Sequence, residues 1–405
     1  MITNNLKSEF WILTDTHLIA DQLHDNGAAF KRMQQTSQGK DLVYQEIALT
    51  AFCKMAQEKK PAAIIVTGDL TFNGELISAQ KFQEIFSKLT QTKVLVLPGN
   101  HDIFDGWARG FKGEKQLFTK QISPYDWREI FKQSYACAFS QDQNSLAYSV
   151  QLNPQYLLLM LDSNIYGQKD SVKAPITEGS ISEEQIIWLR KQLDYAQEHD
   201  LRPLLFMHHN LYVHNPAVNQ GFVLNNAAQL RQLCEKYQIK IAFSGHIHAQ
   251  NIIGPVEKTP TIEVVTSSFC SYDQAYGVVK LDDQGLLYQR KIFDMTPYLT
   301  EAELQNQTVA NFHEYLKNIQ LKNLAGNSSE QGPLSPLERQ IKQTFLEINY
   351  NYFTGHNHIS SAELKKLTTS TEYQTLIQQK PQLNKYLKSL FDTSDHSNLI
   401  AKITY

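Results

Sequence analysis

Val94–Asp102 reads VLVLPGNHD: four consecutive apolar residues, a Pro-Gly turn, then Asn100, His101 and Asp102. A short, continuous apolar run closed by a turn is the pattern of a strand buried on both faces, as in a sheet covered by helices. The polar residues after it then stand at the strand's carboxyl end. Outward from this stretch the arrangement repeats. Phe10–Leu13 leads into Asp15, Thr16 and His17, and Ala63–Val66 leads into Gly68 and Asp69. Leu204–Met207 leads into His208, His209 and Asn210, and Ile241–Phe243 into Gly245, His246, Ile247 and His248. In open α/β sheets ligands bind beyond the carboxyl ends of the strands, so these loops are expected to converge on one crevice.

Between the apolar runs lie amphipathic stretches. Ser182–Gln185 forms a capping box, and Ile186, Leu189, Leu193 and Ala196 follow at helical spacing in a helix ending near His199. The five runs are expected as central strands. Further strands are expected at Leu146–Gln151, Tyr156–Leu161, Ile262–Val265 and Leu287–Phe293, the last as an edge. This alternation makes residues 1–298 an α/β layered domain in which a second sheet is plausible. After about Thr300 the strand-like runs stop, and Glu, Gln, Lys, Leu and Asn dominate with helical periodicity. Thr300–Glu303, Ser335–Glu338 and Ser360–Glu363 each place a capping hydroxyl three residues before a Glu, which predicts three helix starts. Residues 299–405 are therefore expected to form an α-helical C-terminal domain, with a loop over Gly326–Pro336.

With 405 residues, 42% hydrophobic and 20% charged, the chain has the composition of a folded protein with a full core. A formal net charge of -3 supplies no global positive field, so nucleic acid is not an expected partner. Cys53, Cys137, Cys234 and Cys270 show no CxxC spacing and read as reduced thiols, which fits a cytoplasmic location. Phe10–Leu13 is too short to span a bilayer and lacks a basic leader, so neither a membrane span nor a signal peptide is expected. A surface-anchored location is the alternative. The sequons at Asn306 and Asn327 are short patterns with little weight.

Taken singly, each motif has an ordinary reading: Asp15 with His17, or Gly68 with Asp69, can be a solvated turn, and paired histidines are often packed or surface residues. Five in order, each at a strand end, are another matter. The series Asp15-x-His17, Gly68-Asp69, Gly99-Asn100-His101-Asp102, His208 and Gly245-His246-x-His248 resembles the calcineurin-like metallophosphoesterase superfamily. Within it, Thr14–His17, Gly68–Glu75 and His208–Asn210 are similar to bacterial class III cyclic-nucleotide phosphodiesterases. The layout with a helical C-terminal region resembles a Gram-positive branch of that group.

The resemblance implies a four-layer αββα sandwich carrying two divalent or mixed-valence metal ions. Asp15, His17, Asp69 and His248 would hold one ion; Asp69, Asn100, His208 and His246 would hold the other, with Asp69 bridging. Asp15 and Asp69 then bring the only negative ligand charges, leaving a net positive site for a phosphate. Imidazole with carboxylate suits borderline metals, and the resemblance favours a manganese pair or iron with manganese, with zinc possible. The implied reaction is hydrolysis of 3',5'-cyclic nucleotides such as cAMP or cGMP to 5'-nucleoside monophosphates, by attack of a metal-bridging hydroxide. It gives His101 the task of protonating the leaving group, and Asp102 could orient its ring.

The remaining candidates read more plainly. His209 is expected to shape its turn, Asn73 is a secondary candidate for phosphate, and His24, His214, His356 and His358 read as solvated loop histidines. Phe72, Phe104 and Trp107 read as packing, with a stacking wall for a base as the alternative. The helical region is expected to pack near the site, with a lid or an oligomer contact as other roles. Two rival functions stand beside the first: a phosphatase or phosphodiesterase of broader specificity, and a non-catalytic scaffold.

Overall fold

The computed structural model describes residues 1–325 and 335–405, so all but the end of the loop expected over Gly326–Pro336 lies outside the described residues. Fifteen strands form among them. They are β1 (Glu9–Leu13), β2 (Ala63–Thr67), β3 (Lys93–Leu97), β4 (Arg109–Lys112), β5 (Lys115–Phe118), β6 (Ser140–Gln141), β7 (Tyr148–Asn153) and β8 (Tyr156–Met160). There follow β9 (Arg202–Phe206), β10 (Ile241–Ser244), β11 (Asn251–Ile253), β12 (Ile262–Val265), β13 (Ala275–Leu281), β14 (Gly285–Ile292) and β15 (Ile400–Thr404).

Two mixed sheets result, ordered β15-β14-β13-β1-β2-β3 and β11-β12-β10-β9-β8-β7-β6, with β4-β5 as a separate hairpin. β1, β2 and β3 run parallel in the first sheet, and β8, β9, β10 and β12 run parallel in the second. The sheets meet face to face through Phe10 of β1, whose ring stands edge-on to Phe206 and Phe243 at 5.9 and 6.2 Å. β8 shows why these runs are apolar throughout. Tyr156, Leu158 and Met160 enter the core between the sheets, whereas Leu157 and Leu159 face the outer helix.

On the outer faces lie α1 (Ala28–Thr36), α2 (Gln45–Lys59), α3 (Leu76–Phe86), α4 (Pro124–Ile130), α5 (Lys132–Ala136), α6 (Glu183–Glu198) and α7 (Ala227–Lys236). Trp11 of β1 meets Phe52 of α2 at 5.6 Å on one side, while Ile186, Leu189 and Leu193 of α6 pack on the other sheet. Ser182 caps α6 by accepting the Gln185 N–H, a contact worth about 1 kcal/mol. The four layers are thus helix, sheet, sheet, helix, as the family resemblance implied.

The C-terminal segment forms α8 (Glu301–Leu304), α9 (Gln307–Ala310), α10 (Phe312–Ala325), α11 (Pro336–Phe353), α12 (Ser361–Thr368), α13 (Thr371–Gln379) and α14 (Leu383–Ser389). The capping boxes expected at Thr300, Ser335 and Ser360 are present, whereas the one expected at Ser182 forms only half, because the Gln185 side chain turns to the Asp162 backbone. Ile341, Ile348 and Tyr352 of α11, with Tyr373, Leu376 and Leu387, close a core around Ile247.

Two expectations need correction. β14 is not an edge strand: β15 pairs with it antiparallel from Gly285↔Thr404 to Gln289↔Ile400, so the last residues of a mainly helical segment return to the sheet. β3 is not central but closes one end of the first sheet.

Candidate metal centre

The parallel strands β1, β2 and β3 of one sheet and β9 and β10 of the other end on the same side, and their following loops interlock. The N–H of Asp15 donates to the Gly68 carbonyl at 3.1 Å, and that of His17 to the Asp69 carbonyl at 3.0 Å. The His246 N–H donates to Asp15 Oδ2 at 3.1 Å, which ties the second sheet to the first. Asp15, His17, Asp69, His246 and His248 all have positive φ, between 41° and 70°. Non-glycine residues adopt that region at a cost, and its repetition at these turns is local strain held by the surrounding fold. Gly99 and Gly245 allow the close approach: a Cβ on Gly99 would run into the Asp69 carboxylate, and one on Gly245 into Thr14 and Asp15.

Two groups of donor atoms emerge, Asp15 with His17, Asp69 and His248, and Asp69 with His208 and His246. In the first, His17 Nε2 lies 3.0 Å from His248 Nε2, which is 3.3 Å from Asp15 Oδ1. In the second, His208 Nε2 lies 3.2 Å from Asn100 Oδ1 and 3.4 Å from Asp69 Oδ1. His208 Nδ1 is engaged by the Thr67 carbonyl at 2.9 Å, which fixes the ring with Nε2 facing the centre. His246 Nε2 faces the Gly221 carbonyl at 3.1 Å, leaving Nδ1 for another partner.

The donor set fits a pair of cations. Asp15 Oδ1 is buried with no hydrogen-bond donor, and two ring nitrogens face each other between carboxylates. Buried acceptors without donors are costly unless a cation satisfies them. The electrostatics agree. Burial would raise the Asp69 carboxyl, yet His208, His101 and His17 together hold it well below the usual carboxylate range. His208 moves the other way, to about 9: burial lowers it, and the Asp69 charge more than compensates. Burial, with neighbouring positive groups, pushes His17 and His246 well below an ordinary imidazole.

His101 stands at the rim with its side chain 24% exposed, its ring 5.3 Å from that of His17. Its backbone N–H donates to Asp69 Oδ1 at 2.9 Å. Burial alone would lower its imidazole, but the Asp69 and Asp105 carboxylates outweigh that and raise it. The expectation that Asp102 orients this ring is corrected. Asp102 instead accepts from the backbone N–H groups of Leu70, Thr71 and Gly99 and from the Thr71 hydroxyl, tying the Asp69 loop to the Asn100 loop. The carboxylate beside the ring is Asp105, fully buried and 3.3 Å from His101 Nδ1. Sequence reasoning missed it because it lies in an irregular loop with no periodicity to orient it.

The other histidines divide. His209 is buried, its ring nitrogens 2.8 Å from Ser163 Oγ and 3.0 Å from the Thr177 carbonyl, and burial with His208 nearby lowers it to about 3. His24 and His214 are not solvated as expected: His24 stacks on Phe30 at 3.8 Å, and His214 bridges Asn251 and Glu263. His356 and His358 are exposed. Cys53, Cys137, Cys234 and Cys270 are all unpaired.

Above the centre opens a cavity of about 940 Å³ whose lining includes Asp69, Asn100, His101, His246 and His248. Asn73, Phe72 and Trp107 line it too, whereas Phe104 packs into the core. Asn349, Tyr352, Phe353 and Tyr386 of the C-terminal helices complete one wall. No helix among the described residues is long and apolar enough to cross a membrane.

Comparison with known proteins places these features. Residues 8–250 match the family described as calcineurin-like phosphoesterase, and residues 294–397 match the C-terminal domain of cyclic nucleotide phosphodiesterase. A protein of Arcobacter nitrofigilis named probable glycerophosphodiester phosphodiesterase GpdQ is 31% identical over 197 residues, 47% of this chain and 57% of that protein. The 3',5'-cyclic adenosine monophosphate phosphodiesterase CpdA of Escherichia coli is 27% identical over 188 residues, 46% of this chain and 54% of that protein. The chain thus spans little more than half the length of these curated relatives. A dimetal phosphatase from Danio rerio superposes over 71% of this chain and 97% of its own with a TM-score of 0.54 at 11% identity, a likeness of fold.

Proposed function

The chain belongs to the calcineurin-like phosphoesterase family, and from that premise we propose that it is a metal-dependent phosphodiesterase hydrolysing 3',5'-cyclic nucleotides to 5'-nucleoside monophosphates. The observation that carries the reading is the pair of donor groups sharing Asp69 on the floor of one cavity. The match of residues 294–397 and the name of the Escherichia coli relative favour cyclic nucleotides within the phosphodiesters. We also assign residues 1–298 to the catalytic domain and 299–405 to the helical one, and place the chain in the Gram-positive class III branch on that layout. The unpaired cysteines favour a cytoplasmic protein.

In this reading Asp15, His17, Asp69 and His248 hold one cation, and Asp69, Asn100, His208 and His246 the other. Manganese, or iron with manganese, suits these donors best, with zinc third. Two bound divalent cations would neutralise charge on the phosphate and acidify the attacking water. The protein's own part is orientation and proton supply. Thr67 fixes the His208 ring through Nδ1, and the Gly221 carbonyl fixes His246. In this reading His101, its affinity for a proton raised by Asp69 and Asp105, would protonate the departing 3'-oxygen.

A hydrolysis panel on manganese-loaded protein tests this, with cAMP, cGMP, 2',3'-cyclic nucleotides, bis-p-nitrophenyl phosphate and p-nitrophenyl phosphate as substrates and Asp69→Ala as control. Preferential cleavage of the 3',5'-cyclic compounds, silent in the variant, is expected. Turnover of the artificial esters alone would favour a broader phosphoesterase, a reading supported by the glycerophosphodiester name of the Arcobacter relative. No turnover of any ester would leave a scaffold.

A further inference from the structure

Two cations that the site described above leaves unused line the cavity, Lys40 and Arg109, and Arg109 is engaged by the Gly106 and Ala108 carbonyls and by the Phe118 ring; Lys40 is the other. It lines the same space as Asp69, Asn100, His101, His246 and His248, yet no ion pair or hydrogen bond of its ammonium occurs among the described residues. Its side chain is only partly exposed, on the loop that leads into α2. A half-enclosed ammonium without a partner is costly unless an anion comes to it. The anion that enters this cavity, on the reading above, is a phosphate ester.

The loop carrying Lys40 is held from the C-terminal segment. Gln320 of α10 donates to the Gly39 carbonyl at 2.7 Å, and Tyr315 of α10 donates to Asp41 Oδ1 at 3.0 Å. Gly39 adopts φ +84°, and a Cβ there would collide with Gln320. Asp41, fully buried, also accepts from the Val43 and Tyr44 N–H groups and from Gln45 Nε2, while its own N–H donates to the Cys270 carbonyl at 2.8 Å. The residues on both sides of Lys40 are therefore pinned, one by α10 and the other by α10 together with the loop after β12.

We propose that Lys40 binds a non-bridging oxygen of the substrate phosphate, and that Gln320 and Tyr315 of the C-terminal segment are positioning residues that keep it aimed into the cavity. The claim rests on the phosphoesterase reading for the identity of the ester, but not for the binding of the anion. A lysine acts as a point charge on phosphate and needs no fixed fork geometry, so loop placement is what decides its effect.

The test is calorimetric titration of inorganic phosphate into manganese-loaded full-length protein, with metal content and melting temperature recorded for every variant. Lys40→Met should weaken phosphate binding by about tenfold or more with metal content unchanged, and Lys40→Arg should recover part of the loss. Tyr315→Phe should weaken it by about threefold in the wild-type background and not at all in the Lys40→Met background, as coupling through Lys40 requires. Unchanged phosphate affinity in Lys40→Met, no phosphate binding by the loaded wild type, or loss of metal from both Lys40 variants would each overturn the proposal. Loss of phosphate affinity in a protein that hydrolyses no ester would uphold Lys40 and sink the catalytic reading instead.

Discussion

Asp102 and Asp105 follow His101 by one and four residues, and the two carboxylates have separate tasks. Asp102 satisfies three backbone N–H groups and a hydroxyl, so Asp102→Ala leaves buried donors unpaired and should cost about 2–4 kcal/mol in denaturant unfolding. Asp105 lies beside the His101 ring, so Asp105→Asn should lower kcat about tenfold while metal content and melting temperature stay near wild type. A variant that instead lost metal would place Asp105 in the cation site. Glu75 offers a pH test on a carboxyl that is not itself one of the metal donors. It is fully buried, and burial raises its carboxyl to about 8 against an unfolded value near 4.5. Between those two values the folded chain holds a proton that the unfolded chain has released, so this group's contribution to stability falls as pH rises through that window. Glu75→Gln should flatten the fall of melting temperature between about pH 5 and pH 8. An equally steep fall in the variant would place the titrating group elsewhere. At this scale the sequence was legible where a motif follows an apolar run, as with Asp69 or His248, because the strand end fixes where the side chain must be. It was not legible for Asp105 or Lys40, whose loops take their course from contacts distant in sequence.

The strands buried on both faces announced themselves by composition, and β12 falls on the very residues expected of it. β13 (AYGVVKL) and β15 (IAKIT) did not, since one carries a glycine and a polar break and the other is a short alternating run at the end of a helical segment. β15 changes what truncation should do. It covers the edge of β14, and before it Asn398 accepts from the Ile252 N–H, while its carbonyl accepts from Gln250 Nε2 and its amide donates to Asp392. Ending the chain after residue 299 would bare a long antiparallel edge and the apolar surface around Ile247. Such a truncation should give aggregated or insoluble protein. Soluble, metal-binding residues 1–299 with an unchanged melting temperature would contradict this role for the last strand.

Across the whole molecule, two sheets bring their strand ends together, and the helical segment packs around Ile247, between two of the donor histidines. That packing makes one wall of the cavity from the C-terminal helices and could not be read from the sequence, because no motif records which helix faces which loop. The four-layer sandwich, by contrast, was implied by the family resemblance that the ordered motifs carry, while the apolar runs by themselves indicated an α/β layered domain. Two cations held through Asp69 by the converging donors are what the proposed chemistry requires. Elemental analysis of the purified full-length protein and of Asp69→Asn, after equilibration with manganese and removal of free ion, measures this most directly. About two ions per chain are expected in the wild type, and one or none in a variant that keeps its melting transition. A folded wild type with no retained metal, or a variant that retains both ions, would contradict it.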